Sequence, residues 1–382
     1  MESLIPFDFS TLRVIWWVLL GLLLTGFAIM DGFDLGIAAA LPLVARTDTE
    51  RRIVLNVVGP VWEGNQVWLI LSGGAVFAAW PLLYAMSFSG FYLAMLLLLL
   101  TLILRPLCFQ YRSKMAGARW RGTWDALLCA GGVVAALVFG VAVGNVILGV
   151  PFDYEAATLR PYYQGSLMGL FTPFPLLCGV LALCMMLKHG AILLAWKTEG
   201  AIAARARALA RLGGLLTALL FALAGAWVAW GLQGYAIVGF IDYDAIATPL
   251  GKAVQVAPGA WMHNYGHWPL MWLAPAAGVL GAVLATVLVG RPNKAWAFLA
   301  SAASLAGILW TFGLSLFPFL LPSSLNPNVS LTVWDASSSP LSLWIMLLAT
   351  AFFLPIIIAY TAWVYRIMRG KVTEKNLEGH AY

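Results

Sequence analysis

Apolar runs recur along the whole chain, each close to or longer than the ~20 residues that an α-helix needs to cross a bilayer. They fall near residues 13–45, 53–83, 86–108, 124–148, 164–188, 209–232, 263–289, 295–321 and 341–366. Between them no polar stretch is long enough to fold as a water-soluble domain. The expected fold is therefore all-α: a polytopic membrane helix bundle of about nine spans, forming one integral membrane domain over residues 1–382. Composition agrees, since 62% of residues are hydrophobic and only 10% charged, too few charges to cover a soluble surface of this length. The segment before the first run, Met1 to Arg13, has no basic region of the kind that opens a cleavable signal, so the first span is expected to be retained.

The net charge of +6 does not point to nucleic acid, because the basic residues sit in short loops beside the spans and read as topology signals. On one side of the bundle fall Arg46, Arg51 and Arg52; Arg105, Arg112, Lys114, Arg119 and Arg121; Lys188, Lys197, Arg205, Arg207 and Arg211; Arg291 and Lys294; and Arg366, Arg369, Lys371 and Lys375. The other side holds only Arg13, Arg160 and Lys252. Basic loops stay in the cytoplasm, which puts the N-terminus outside and the C-terminus inside. Such an alternation requires an odd number of spans. Aromatic residues gather toward the outer side, among them Tyr162, Tyr163, Trp261, Tyr265, Trp268 and Trp334, and read as an interfacial belt. The four cysteines, Cys108, Cys129, Cys178 and Cys184, lie scattered in apolar segments with no CxxC spacing and read as core residues.

The informative residues are the ionisable ones in or beside the spans. A charge at the bilayer centre costs about 2.5–3.5 kcal/mol unless it is paired or neutralised. The first span holds Asp31 and Asp34, three residues apart and so on one helical face, with Asp31 about 27 Å below Arg13 at the usual helical rise. The second holds Glu63, Asn65 and Gln66 in its inner half, and the third ends at Arg105-Pro106 at the same depth. Three carboxylates, two amides and a guanidinium thus fall in one layer of adjacent spans. Two readings stand: a structural ion-pair cluster, or a proton relay opening from the cytoplasm. The histidines suggest no metal or haem site, since none forms a mid-span pair: His189 falls at a span end next to Lys188, His263 and His267 in an outer loop, and His380 in the tail.

Several motifs carry a family resemblance. They include Arg13-Val14-Ile15-Trp16-Trp17, Asp31-Gly32-Phe33-Asp34-Leu35-Gly36, Asp48-Thr49-Glu50-Arg51-Arg52 and Trp62-Glu63-Gly64-Asn65-Gln66-Val67-Trp68. Further along come Arg105-Pro106, Phe317-Pro318-Phe319, Leu331-Thr332-Val333-Trp334-Asp335-Ala336 and Tyr360-Thr361-Ala362-Trp363. On these the chain resembles subunit II of the cytochrome bd-type quinol oxidases over nearly its whole length. The resemblance implies a bacterial inner-membrane respiratory complex that takes electrons from quinol and reduces oxygen to water, drawing its protons from the cytoplasm and building a gradient without pumping. It implies no cofactor in this chain, with haem b and haem d in a partner, subunit I. Small accessory membrane subunits, and a lipid or quinone between helices, are compatible with it. It also places an acidic residue at the position of Glu63 on the proton route, often aspartate where this chain has glutamate; Asp31, Asp34 and Arg105 match other family positions. The alternative reading of the acidic layer is a stand-alone proton-coupled transporter, which would want a mid-membrane site between internal repeats. No repeat is visible in the sequence.

Overall fold

The computed structural model of the chain describes residues 5–155 and 157–374. The apolar runs are helical over most of their length, because a chain in hydrocarbon must satisfy its own backbone amides and a helix does so within one segment. The helices are α1 (Phe9–Val44), α2 (Asp48–Val58), α3 (Trp62–Ala79), α4 (Pro81–Gly90), α5 (Tyr92–Tyr111), α6 (Ala118–Leu148), α7 (Pro173–Lys197), α8 (Gly200–Trp230), α9 (His263–His267), α10 (Leu273–Leu288), α11 (Ala295–Leu316) and α12 (Pro340–Ile367). Three antiparallel hairpins fill the longer connections: β1 (Phe152–Glu155) with β2 (Arg160–Tyr163), β3 (Gln233–Val238) with β4 (Ala253–Pro258), and β5 (Phe319–Leu321) with β6 (Leu331–Thr332).

Among the described residues eight helices are long and apolar enough to cross a membrane, and the bent α3–α4 pair supplies a ninth candidate. Side-chain contacts show how that pair runs. One end of the bundle gathers the start of α1 with all three hairpin loops. Arg13 donates to the Ser337 hydroxyl (2.7 Å) and to the carbonyls of Tyr243 and Ala245, Lys252 pairs with Asp335 (2.8 Å), and Asn326 reaches Asp153 (3.1 Å). The opposite end gathers α2, the α5–α6 turn, the α7–α8 turn and the end of α12. There Asp48 meets Arg112 and Arg121, Glu50 meets Arg205, and the Val372 amide donates to the Lys197 carbonyl. Ala79, at the end of α3, accepts from the Ser338 amide (2.8 Å), so α3 alone runs from the second end to the first. The start of α1 and the end of α12 accordingly lie at opposite ends of the bundle, as an odd number of crossings between them requires.

The helix boundaries depart from the sequence expectation in specific places. The run 53–83 is three elements. α2 is a separate helix opened by a capping box, in which the Thr47 hydroxyl accepts the Glu50 amide and the Glu50 carboxylate accepts the Thr47 amide. α3 then stops at Trp80, whose backbone (φ −134°, ψ 76°) has left the helical region that the following proline disfavours, and Pro81 opens α4 at a 119° bend. α4 takes the start of the expected third span, and α5 continues through Pro106 to Tyr111. The fifth span is displaced from 164–188 to Pro173–Lys197, because residues before Thr172 belong to the hairpin loop. Pro318 lies beyond the end of α11, which stops at Leu316. The basic residues also sort differently: Arg105 and Lys188 are buried inside the bundle and do not mark its rim. Of the tail residues, Lys375 and His380 lie outside the described residues.

α1 is the central helix, packing on α3, α6, α7, α11 and α12. From Asp31 to Leu41 it is buried on every side. Small residues allow this closeness: a Cβ at Gly36 would lie 1.9 Å from the Met186 carbonyl oxygen of α7, and one at Gly190 would lie 2.6 Å from the Ile37 nitrogen. The cysteines are packed as expected, three buried and Cys129 half-buried, all as free thiols. The aromatic belt is only partly a belt. Trp268 and Tyr162 are exposed, whereas Trp261 and Tyr265 are core residues of the hairpin-capped end, Trp261 packing on Tyr235 and Phe319.

Sidedness is open to direct test. With the basic end cytoplasmic, a membrane-impermeant maleimide should label Thr158→Cys in intact cells and Lys114→Cys only after lysis. The reverse pattern would invert the assigned orientation.

Candidate functional site

Asp31 and Asp34 fall in the all-round buried stretch of α1, out of reach of bulk solvent, so their partners come from neighbouring helices. Arg105 of α5 supplies one. Its guanidinium forks onto the Asp31 carboxylate, Nη1 to Oδ1 and Nη2 to Oδ2 (3.2 Å for the second), with both side chains almost wholly buried. Asn65, one turn into α3, supplies another: its Nδ2 donates to Asp34 Oδ2 at 2.8 Å. The Asn65 carbonyl oxygen in turn accepts from the Tyr365 hydroxyl of α12 at 2.7 Å. Four helices are thereby tied at one level. Asp34 Oδ1 has no hydrogen-bond partner. Beside it is a cavity of about 10 Å³, lined by Asp34 and Arg105 together with apolar residues of α1, α2, α5 and α6 and by Trp62, which stacks on Phe109.

Of the six residues expected in this layer, the structure joins Asp31, Asp34, Asn65 and Arg105. Gln66 is half-buried beside them. Glu63 stands apart: it is in the first turn of α3, as the break before Trp62 dictates, and its side chain is exposed on the outer wall of the bundle. That wall is otherwise apolar, with Val67, Ile70 and Phe77 of α3, Leu99 and Ile103 of α5, and Phe352 and Ile356 of α12 all facing outward. Across the membrane-long α12 only Leu343 is buried.

Sequence reasoning missed Tyr365, which lies in an aromatic stretch near the end of α12 and is distant in sequence by 300 residues from its partner. It also missed a second intramembrane polar group. Lys188 and His189 are both fully buried on α7 and do not mark its end. Lys188 donates to the Ser304 hydroxyl (2.9 Å), which donates to the Gly278 carbonyl (2.9 Å). The His189 ring nitrogens meet the Ser301 hydroxyl (2.9 Å) and the Ile29 carbonyl (3.0 Å). The available signal was the apolar run that resumes after Gly190 and continues to Trp196. A third omission is Asp125 of α6, buried between Arg112 (2.6 Å) and Arg51 (2.9 Å) at the basic end.

With both ring nitrogens engaged, His189 has none to give a haem iron, and the described residues hold no group of three or more side chains able to bind a metal. Toward the hairpin-capped half a larger cavity of about 840 Å³ opens between α1, α6, α7, α8, α10 and α11. Its walls are apolar and aromatic, including Trp17, Phe27, Phe139, Phe221 and Trp310.

Comparison with known proteins bears on the whole chain. The sequence pattern of the family described as cytochrome bd terminal oxidase subunit II matches residues 12–368. The chain is 46% identical over 376 residues to the cytochrome bd-I ubiquinol oxidase subunit 2 of Escherichia coli strain K12, covering 98% of this chain and 99% of that one. It is 28% identical over 368 residues to the cytochrome bd ubiquinol oxidase subunit 2 of Bacillus subtilis, covering 96% and 98%. Among solved structures, the bd oxidase of Geobacillus thermodenitrificans shares the fold, with a TM-score of 0.67 at 20% identity, covering 94% of this chain and 98% of that one.

The ion pair at Asp31 makes a quantitative prediction. Arg105→Leu leaves a buried carboxylate alone and should destabilise the protein by about 3–5 kcal/mol, whereas Arg105→Leu with Asp31→Leu should recover most of that loss. Thermal unfolding of the purified membrane protein measures both. Equal losses in the single and double variants would show that the pair does not act as a unit.

Proposed function

The chain belongs to the cytochrome bd terminal oxidase subunit II family, and on that premise we propose that it is the non-haem subunit of a quinol:oxygen oxidoreductase of the bacterial inner membrane, and that it contributes a cytoplasmic proton intake. It acts with a haem-bearing subunit I and is not active alone. The haems b and d belong to that partner and supply electron transfer to oxygen when bound. Two quinols give up four electrons and four protons; oxygen takes four electrons and four protons and leaves as two waters. If the released protons go outward and the consumed ones come from the cytoplasm, turnover is electrogenic without a pump.

The observation that carries the proton part is the position of Glu63. A carboxylate cannot face lipid within the membrane at low cost, yet Glu63 is exposed on an apolar wall in the first turn of α3, two residues from buried Asn65. We take this wall, formed by α3, α5 and α12, as the surface that subunit I covers, with Glu63 at the joint between the two subunits. There it is positioned to accept a proton from the basic, cytoplasmic end and hand it toward the partner. The layer behind it, Asp31, Asp34, Asn65, Gln66 and Arg105, supplies fixed charge and hydrogen bonding. In this reading Lys188 and His189 are structural, each tied to serines of α11. The large apolar cavity fits a lipid tail or an isoprenoid quinone held between helices, a structural occupant separate from the substrate quinol.

In the intact complex, Glu63→Leu should slow oxygen consumption about tenfold, equivalent to about 1.4 kcal/mol on the limiting barrier, with haem content and subunit stoichiometry unchanged. Glu63→Asp should retain most activity. Normal turnover and normal proton uptake in Glu63→Leu would remove the intake role. Organic extraction of the purified complex followed by mass spectrometry should return a lipid or quinone in a fixed ratio to protein, and a Gly21→Trp variant, which narrows the large cavity, should lower that ratio.

A further inference from the structure

We propose that the loop between β3 and β4, residues 239–252, is a docking knob for subunit I at the hairpin-capped end. Phe240 and Ile246 are seated in an apolar recess of that subunit, and Asp242 and Asp244 face basic side chains around the recess. The inference rests on the reading of this chain as an oxidase subunit. It adds a contact beyond the ends of the spans to the apolar wall assigned to the same partner.

The loop leaves the hairpin after the Val238–Ala253 pair and is bracketed by two glycines with left-handed backbone, Gly239 (φ +100°) and Gly251 (φ +95°). Connections this long without regular structure are usually functional. Two of its side chains are the most exposed large hydrophobic ones among the described residues: Phe240 is 95% exposed and Ile246 90%. A lone exposed apolar residue needs no explanation. Here, however, a buried cation holds the pair in place. Arg13 is wholly buried, and every hydrogen-bond acceptor it meets is neutral. Its guanidinium donates to the carbonyls of Tyr243 (2.6 Å) and Ala245 (3.0 Å) and to the Ser337 hydroxyl (2.7 Å), and it lies 3.4 Å over the Phe9 ring. Asp244 accepts the Ser10 amide at 2.8 Å, and the Tyr243 ring packs on Trp334 at 4.7 Å. The loop is thus pinned at Tyr243, Asp244 and Ala245, with Phe240 before the pins and Ile246 after them. A contact held in shape before binding loses little freedom when it docks.

The position of the pins says which partner the knob meets. They belong to the start of α1 and to the segment that leads into α12, and Phe7 beside them packs on Trp344 of α12 at 5.9 Å. The loop therefore stands over the end of α12, the helix of which only Leu343 is buried. Apolar exposure continues from the open wall past the end of the span. Lipid is the poorer occupant. The exposed tryptophans of this end, Trp230, Trp268 and Trp272, lie at the end of α8 and ahead of α10, away from the pins. The loop instead carries two exposed carboxylates, which anionic headgroups repel. A second copy of this chain fits no better. Of the described lysines and arginines at this end, Arg13 is buried and Lys252 is paired with Asp335, which leaves Arg160 exposed. An apolar centre with an acidic rim calls for an apolar recess edged by lysine or arginine, the charges fixing orientation more than strength.

Site-specific photo-crosslinking of the intact complex in native membranes tests this. p-Benzoylphenylalanine incorporated at Phe240 or at Ile246 should join this chain to subunit I on irradiation. The same probe at Trp230, which is 85% exposed, should not. Adducts with lipid alone, adducts between two copies of this chain, or an equal yield of the two-subunit adduct from Trp230 would overturn the proposal. In the complex immobilised through this chain, Phe240→Asp combined with Ile246→Asp should speed the loss of subunit I about tenfold. An unchanged rate of loss would also overturn it. Arg13→Gln should lower the cross-link from Phe240 several-fold, because the pins are released, and an unchanged yield would remove the clamp. The crosslinking arms use exposed positions and stand even where Arg13→Gln does not fold. If no subunit I accompanies this chain, the oxidase reading itself fails. If subunit I is present but never joined to position 240 or 246, only the knob fails.

Discussion

The bilayer interior has no water to solvate a charge, so a charge placed there must find its compensation within the protein. That constraint organises the centre of this bundle. Asp31 on α1 is tolerable only because Arg105 reaches it from α5 with both arms of its guanidinium. Asp34 is held by Asn65 of α3, and Asn65 by Tyr365 of α12. Each bond also fixes the rotation of a helix about its axis, since an apolar helix surface in lipid offers little to choose between one face and another. The polar layer therefore acts as a registry device as well as a candidate proton site.

Close packing around α1 makes that layer possible. Gly36 and Gly190 bring the α1 and α7 backbones into contact, and Gly132 does the same between α6 and α1, where a Cβ would meet the Leu35 carbonyl at 2.6 Å. Between these helices the stretch Asp31–Leu41 loses all exposure. α12 is little enclosed, with only Leu343 buried, and much of its length presents isoleucine and phenylalanine outward. The asymmetry between an enclosed half and an open apolar wall is what a subunit built to be completed by a partner would show, and Glu63 lies on the open wall.

Much of this was legible from residue order. The apolar runs marked the crossings, because length and hydropathy decide insertion regardless of tertiary contacts. The basic residues marked two faces, although Arg105 and Lys188 were counted at the rim and are inside. Their apolar neighbours were the clue, since an apolar run continues beyond each of them. The clustering of Asp31, Asp34, Asn65 and Arg105 followed from equal depth on adjacent spans. Depth is a one-dimensional quantity that helical rise supplies, but it says nothing of azimuth. For that reason Glu63 was grouped with the buried residues although its side chain points the other way, and Tyr365, 300 residues from Asn65, was not found at all.

The sequence by itself determined that the chain is a membrane helix bundle, which face is basic, and which ionisable groups enter the apolar layer, because transfer free energy depends on composition along the chain. Only the tertiary structure decided how those groups divide. It paired Asp31 with Arg105, left one oxygen of Asp34 without a partner, and turned Glu63 outward. These are outcomes of helix rotation and close approach, set by glycines and side-chain shape across helices far apart in sequence, and no local pattern encodes them.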